Sequence, residues 1–430
     1  MNRVVVVGGG WAGCAAAIQA SKQGGKVILI ERTDMLLGSG LVGGIMRNNG
    51  RYTATEEMLN MGGGELFELA DNLARHRNID FPGHLHATLY DTLNIGYAVE
   101  QLLNEFNIHV MYRSRVSRAR VSENRIYSVI TGNGERVDGE VFIDTTGTAG
   151  PMKNCIRWGN GCAMCIYRCP SFGGRISLTQ LAGIEEIVGK REDGTPGAMS
   201  GACKLFKESL GSEIRTQLNK EGVVIIPVPY SIRKQINIDL NQKVCQQYNL
   251  LEFSNNIVLL DTGHAKMMAT FFPLEYLREI PGLERARMYD PYSGGIGNSI
   301  RFCAMAPRDN TMKVEGIENL YCAGEKSGLL VGHTEAICTG VLAGYNAVRL
   351  IEDEKPMVLP SSLTVGDAIE FVNQQSKTEK GLSKKYTFSG SVYFQRMKRL
   401  SSYTKNRKEI SQRVYDAGCY GVFGLPKDFY

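Results

Sequence analysis

The chain has 430 residues, of which 43% are hydrophobic and 22% charged, with a formal net charge of +5. These values exclude a disordered, collagen-like or coiled-coil architecture, and a mean hydropathy of −0.17 with no apolar run of membrane-spanning length excludes a transmembrane helix. The charge is localised: Ser361 to Tyr430 carries 12 Lys and Arg against 6 Asp and Glu, while the other 360 residues carry 37 against 38. Gly is over-represented at 49 residues beside only 13 Pro, which points to tight turns and close backbone approach to a ligand rather than to linkers.

In chain order, Val4 to Val7 is an all-apolar, β-branched run, expected as a strand buried on both faces. The N-terminus enters it directly, without the apolar stretch and cleavage site of a signal peptide, so the expected location is cytoplasmic. The 11 Cys are then read as thiols or ligands rather than as a disulfide frame. Gly8-x-Gly10-x-x-Gly13 follows the strand and opens a helix over Cys14 to Lys22, and a second strand, Lys26 to Ile30, ends at Glu31. In this βαβ unit the first Gly allows the turn and the second lets backbone approach a pyrophosphate. The third permits close helix–strand packing, and the acid is placed for ribose hydroxyls. The segment from Gly38 through Gly43 and Gly44 is Gly-rich, and it and Arg32 are grouped with the candidate cofactor-binding residues.

Helical spacing covers Glu65 to His76 and Leu93 to Phe106. Short β segments then lead through Val116 to a buried strand, Val141 to Asp144, that ends in Thr145-Thr146-Gly147. From Pro151 the composition turns rich in Cys and Gly, and the first pattern resumes near Gly316. The expected organisation is a discontinuous nucleotide-binding domain over 1–150 and 308–355, an inserted substrate domain over 151–307, and a basic helical region over 356–430. Late in the chain, Tyr321-Cys322-Ala323-Gly324-Glu325 reads as a strand ending in Gly plus a carboxylate, followed by Gly332, His333, Glu335 and a small-residue helix to Ile351.

With GxGxxG, Glu31, Thr145-Thr146-Gly147 and the late Ala-Gly-Glu on the page, the chain resembles the glutathione-reductase-type FAD proteins. That resemblance implies an α/β Rossmann domain with a β-meander, an inserted α+β domain and a helical C-terminal extension. It also implies FAD as cofactor, with the backbone of Val116 against adenine and Gly324 and Glu325 near the ribityl and phosphate groups. Phe272 to Glu284, and Asn319 to Leu350 with Gly332-His333-Thr334-Glu335, are similar to the folate- and FAD-dependent tRNA uridine methyltransferases and to the carboxymethylaminomethyl-uridine flavoproteins. His333 matches a position close to the flavin, from which it would transfer a proton. The chain departs from those enzymes in having no Cys between Cys14 and Cys155, where they carry one after the second strand, and in having Glu325 in place of Gln.

The inserted region carries Cys162, Cys165 and Cys169 followed by Pro170. Their spacing suits redox or nucleophilic thiols, three ligands of an iron–sulfur cluster, or small buried residues, and it does not choose among these. His84 and His86 would share one strand face but lack a further ligand nearby in sequence, and His264 is a second candidate for proton transfer. The tail interleaves aromatic and basic residues, as an RNA-binding surface or an ordinary helical lid would. The leading expectation is an FAD-dependent oxidoreductase of a small organic substrate, with the thiols as relay. Its competitors are an RNA uridine-modifying enzyme and an electron-transfer subunit that works with a redox partner protein.

Overall fold

The computed structural model describes residues 2–147, 171–190, 194, 198–199, 203–236, 250–268, 272–289, 300–301 and 304–424. Its centre is a five-stranded, all-parallel sheet. The strands are β1 (Arg3–Val7), β2 (Lys26–Ile30), β3 (His109–Met111), β4 (Val141–Asp144) and β5 (Leu320–Cys322), in the order β5-β4-β1-β2-β3. The all-apolar β1 is explained by two-sided burial, because successive side chains of a strand point to opposite faces. Val4 and Val6 enter the core on the helical face, and Val5 and Val7 enter the core beneath an antiparallel meander of Val116–Ser122, Arg125–Thr131 and Arg136–Asp138.

The helical face is built by α1 (Trp11–Lys22) and α2 (His333–Ile351). All residues of α1 from Trp11 to Ala20 are buried, so it has no polar stripe. Its small residues allow an unusually close crossing with α2: a Cβ at Gly340 would lie 2.3 Å from the Ala12 carbonyl oxygen, and one at Gly344 2.2 Å from that of Ala16. The late helix is thereby locked onto the first, three hundred residues away in sequence.

Two smaller sheets stand at the carboxyl end of the parallel sheet. Ile45–Met46, His84–Tyr90 and Ala74–Phe81 form an antiparallel sheet in that order. Cys203–Leu205, His264–Met267, Asn256–Thr262 and Val223–Pro227 form another, also in that order. Ile45, Leu89, Val258 and Leu260 share one apolar cluster that joins the two sheets. The helical spacing read from Glu65 to His76 is corrected here: the helix stops at Asn72, and His76 already pairs with the strand His84–Tyr90. Hairpin pairing across the Pro82-Gly83 turn, with Gly83 at φ +73°, outweighs the local helical pattern.

The C-terminal region is helical, with Thr364–Gln375, Ser391–Arg399 and Arg407–Asp416, and it is docked rather than loose. The buried Glu57 carboxylate accepts from the N–H groups of Thr364 (2.9 Å) and Val365 (3.0 Å), capping the first of these helices, and meets Arg413 at 3.4 Å. Replacing Glu57 with Ala removes a helix cap and leaves the Arg413 guanidinium with Glu409 (3.5 Å) as its remaining carboxylate partner. We expect a loss of about 2–4 kcal/mol in urea unfolding. An unchanged midpoint would show that the docking does not depend on this cap.

Candidate functional site

The carboxyl ends of β1, β2, β4 and β5 converge on the N-terminus of α1, and most of the glycines named from sequence stand there. Gly8 has φ +109°, and a Cβ on it would lie 2.6 Å from the Thr145 carbonyl oxygen. A Cβ on Gly13 would lie 1.8 Å from the Gly8 carbonyl oxygen, so only Gly lets α1 approach its strand. Gly10 differs, because among the described residues nothing beyond its own chain neighbours lies within 4 Å of the position its Cβ would take. It also caps α1 without a side-chain hydrogen bond, so the first-turn N–H groups point outward beside this opening. Two closed glycines set the geometry and one is left open, an arrangement that fits a pyrophosphate on a helix N-terminus.

Glu31 lies at the end of β2, buried. Its carboxylate accepts from the N–H of Gly9 (2.8 Å) and from the N–H and hydroxyl of Thr33 (both 2.8 Å). These bonds fix the side chain, fill both lone pairs of Oε1 and leave Oε2 one further acceptor site for a ribose hydroxyl. Gly324 follows β5 with φ +67°, and its absent Cβ would stand 2.9 Å from that of Ala12, so the late Ala-Gly-Glu segment closes against the start of α1. The residues present therefore suit FAD: Gly8, Gly10, Gly13, Glu31 and Gly324 surround one helix end.

The segment Gly38–Gly44 forms the opposite wall. A short helix, Gly40–Gly43, is followed by Gly44 at φ +82°. A Cβ on Gly43 would lie 1.6 Å from Cε1 of His333, the first residue of α2, so the His333 ring lies directly on this turn. Tyr90 donates to the Gly40 carbonyl (3.0 Å) and meets Nδ1 of His333 at 3.1 Å. With the Tyr90 proton committed to Gly40, the imidazole offers Nδ1–H to the phenol oxygen, a contact that orients the ring. Burial pushes the Tyr90 hydroxyl well above the usual phenol range, so it remains a neutral orienting group.

Other residues named from sequence take places of their own. Glu335 is buried and bonded to Arg51 (3.2 Å), the Thr387 hydroxyl (2.7 Å) and the Phe388 N–H (2.8 Å), and Gly332 packs against both Glu335 and Arg51. Thr146 donates its hydroxyl to Asp144 at 2.7 Å, and Gly147 follows at φ +76°. Arg32 donates to the Gly173 carbonyl, and Val116 opens the meander in its core. Glu325 is partly exposed at the start of a 3-10 turn, next to Lys326. Cys155, Cys162, Cys165 and Cys169 lie outside the described residues. His84 and His86 are both buried but meet different partners, Asn48 at 2.8 Å and Tyr403 at 2.8 Å; among the described residues no cluster of metal-binding side chains occurs. His264 packs against Phe206 and Tyr289 with ring centroids 5.5 Å and 4.5 Å away, and burial lowers its pKa.

Sequence reasoning did not single out Tyr90, Lys204 or Lys266, which all touch the Gly40–Gly43 turn. A signal was present for Lys266, a lysine between Ala265 and Met267 in an otherwise apolar strand.

The comparisons agree with this geometry. Residues 3–152 match the model of the FAD dependent oxidoreductases, and residues 233–355 match that of glucose inhibited division protein A. The tRNA uridine 5-carboxymethylaminomethyl modification enzyme MnmG of Chlorobium phaeobacteroides is 41% identical over 88 residues, 20% of this chain and 13% of that protein. The methylenetetrahydrofolate–tRNA-(uracil-5-)-methyltransferase TrmFO of Bacillus cereus is 34% identical over 98 residues, 23% of this chain and 22% of the relative. The chain thus spans less than a quarter of the length of these curated relatives. The structure of Aquifex aeolicus GidA superposes with a TM-score of 0.67 at 17% identity, covering 97% of this chain and 73% of that one, and so shares the fold.

Fold and site together define an FAD-type nucleotide-binding fold with an all-parallel sheet and meander, and residues 3–152 match the FAD dependent oxidoreductase model. Over shorter segments the chain is similar to the tRNA uridine-modifying flavoproteins.

Proposed function

We propose that the protein is an FAD-dependent enzyme that modifies uridine in RNA. The observation carrying this reading is the match of residues 233–355, which include His333, to the division-protein family, beside short segments up to 41% identical to tRNA uridine-modifying enzymes. FAD, when bound, supplies hydride chemistry. The chain's own residues hold the pyrophosphate at Gly10 and the α1 N-terminus, orient His333 through Tyr90, and exchange a proton at His333 Nε2 with the base. Thiols of the segment containing Cys162, Cys165 and Cys169 stand in for the Cys missing beside Gly38, as relay or covalent handle.

RNA contact is assigned to the exposed cations Lys398, Arg399, Lys405 and Lys408, on and between the last two helices. If all four meet phosphates, binding of an unmodified tRNA transcript falls on the order of 100-fold between 50 and 200 mM salt. Changing the four to Glu should weaken binding more than tenfold at low salt with FAD content unchanged. A wild-type protein that ignores tRNA at 50 mM salt would refute this reading. A small-molecule oxidoreductase is the second reading. It is favoured by the internal pairing of three tail cations: Arg396 with Asp367 (2.7 Å), Arg407 with Glu56 (3.3 Å) and Arg413 with Glu57 (3.4 Å).

A further inference from the structure

Two buried lysines grip the turn that faces His333. Lys204 and Lys266 lie directly opposite each other in the antiparallel pair formed by Cys203–Leu205 and His264–Met267, and are only 8% and 4% exposed. Like charges facing each other across a strand pair are destabilising, and buried ammonium groups are rarer still. Their heads reach the same place. Lys204 donates to the carbonyl of Leu41 and to the Thr92 hydroxyl (2.9 Å), and Lys266 donates to the carbonyls of Val42 (3.1 Å) and Gly43.

Three successive carbonyls of the Gly40–Gly43 turn are thus drawn toward the inserted sheet. In a trans peptide the C=O and the following N–H point in opposite directions. The N–H groups of Val42, Gly43 and Gly44 are therefore directed away from the lysines, and two positive charges sit behind the peptide units they polarise. A structural staple would need one such cation, whereas two on one face add charge to a site where charge changes during reaction.

We propose that Lys204 and Lys266 are positioning residues that tune the flavin: they hold the Gly40–Gly44 backbone and stabilise the negative charge of the reduced cofactor. The inference rests on FAD binding at this turn. Reduction by two electrons and one proton leaves one negative charge on the isoalloxazine, and nearby cations favour that state. The electrons come as a hydride from an organic substrate, or from a reduced dye in a titration.

The test is a potentiometric titration of the FAD-loaded wild type, Lys204→Met, Lys266→Met, and the conservative variants Lys204→Arg and Lys266→Arg. In each Met variant the ratio of reduced to oxidised flavin at a fixed potential should fall at least tenfold, about 30 mV for a two-electron couple. The Arg variants should keep the wild-type value, which loss of packing alone would not explain. If a Met variant fails to hold FAD, Lys204→Gln retains a donor to the loop without the charge and should show the same fall. Wild-type potentials in Met or Gln variants that still bind FAD would overturn the inference while leaving the cofactor site intact. A wild-type protein that takes up no FAD would overturn the cofactor site, and this inference with it.

Discussion

Gly13→Ala should cost the protein both stability and its FAD. The added methyl carbon would stand 1.8 Å from the Gly8 carbonyl oxygen, a backbone atom that cannot swing aside, so α1 must move off β1. Overpacking of this kind costs about 1–3 kcal/mol. The larger effect is on the ligand, because the displaced helix start carries the N–H groups assigned to the pyrophosphate. Two such bonds to a charged group, at roughly 1.5 kcal/mol or more each, correspond to about a 100-fold weaker complex. Gly10→Ala makes the decisive contrast. Its Cβ would meet none of the described residues beyond its chain neighbours within 4 Å, so the protein should melt as the wild type does while losing FAD through a clash with the ligand alone. Flavin fluorescence quenching and a thermal melt on both variants separate these effects. Full FAD affinity in Gly10→Ala would place the cofactor elsewhere.

Lys326→Met should be among the most destabilising single changes in the described part of the chain. Lys326 is 1% exposed and pairs with Glu186 at 2.5 Å, joining the segment after β5 to the region preceding Ile187. The same Glu186 oxygen accepts from Ser177 at 2.6 Å. Removing the ammonium leaves a buried carboxylate with no compensating charge from this residue, at a cost of about 3–5 kcal/mol. Urea unfolding followed by far-UV circular dichroism reads it directly. The double variant Lys326→Met with Glu186→Leu should recover most of the loss, since an apolar pair replaces an ion pair in the interior with little penalty. A single variant within 1 kcal/mol of wild type would mean that Glu186 finds solvent or another cation there.

The same residue shows where reading by motif stops. The run Ala323-Gly324-Glu325 is visible as a cofactor signature, yet the deeply buried charge of that turn is the next residue, Lys326, whose partner lies 140 positions earlier. Glu335 is held by Arg51, Thr387 and Phe388, partners that no motif announces, because the C-terminal region folds back over the start of α2.

What the amino-acid sequence determined by itself is the local part. The βαβ unit with its three glycines, the acid at the end of β2, the meander, and the small-residue helix α2 follow from periodicity, turn chemistry and steric demands that act within about thirty residues. Tertiary structure alone decided which distant groups meet. It brought Tyr90 onto His333, Glu57 under the helix Thr364–Gln375, and Lys204 opposite Lys266 behind the Gly40–Gly43 turn. The physical reason is that a buried polar group must find its partner wherever packing places one, and strand register rather than sequence distance sets that place.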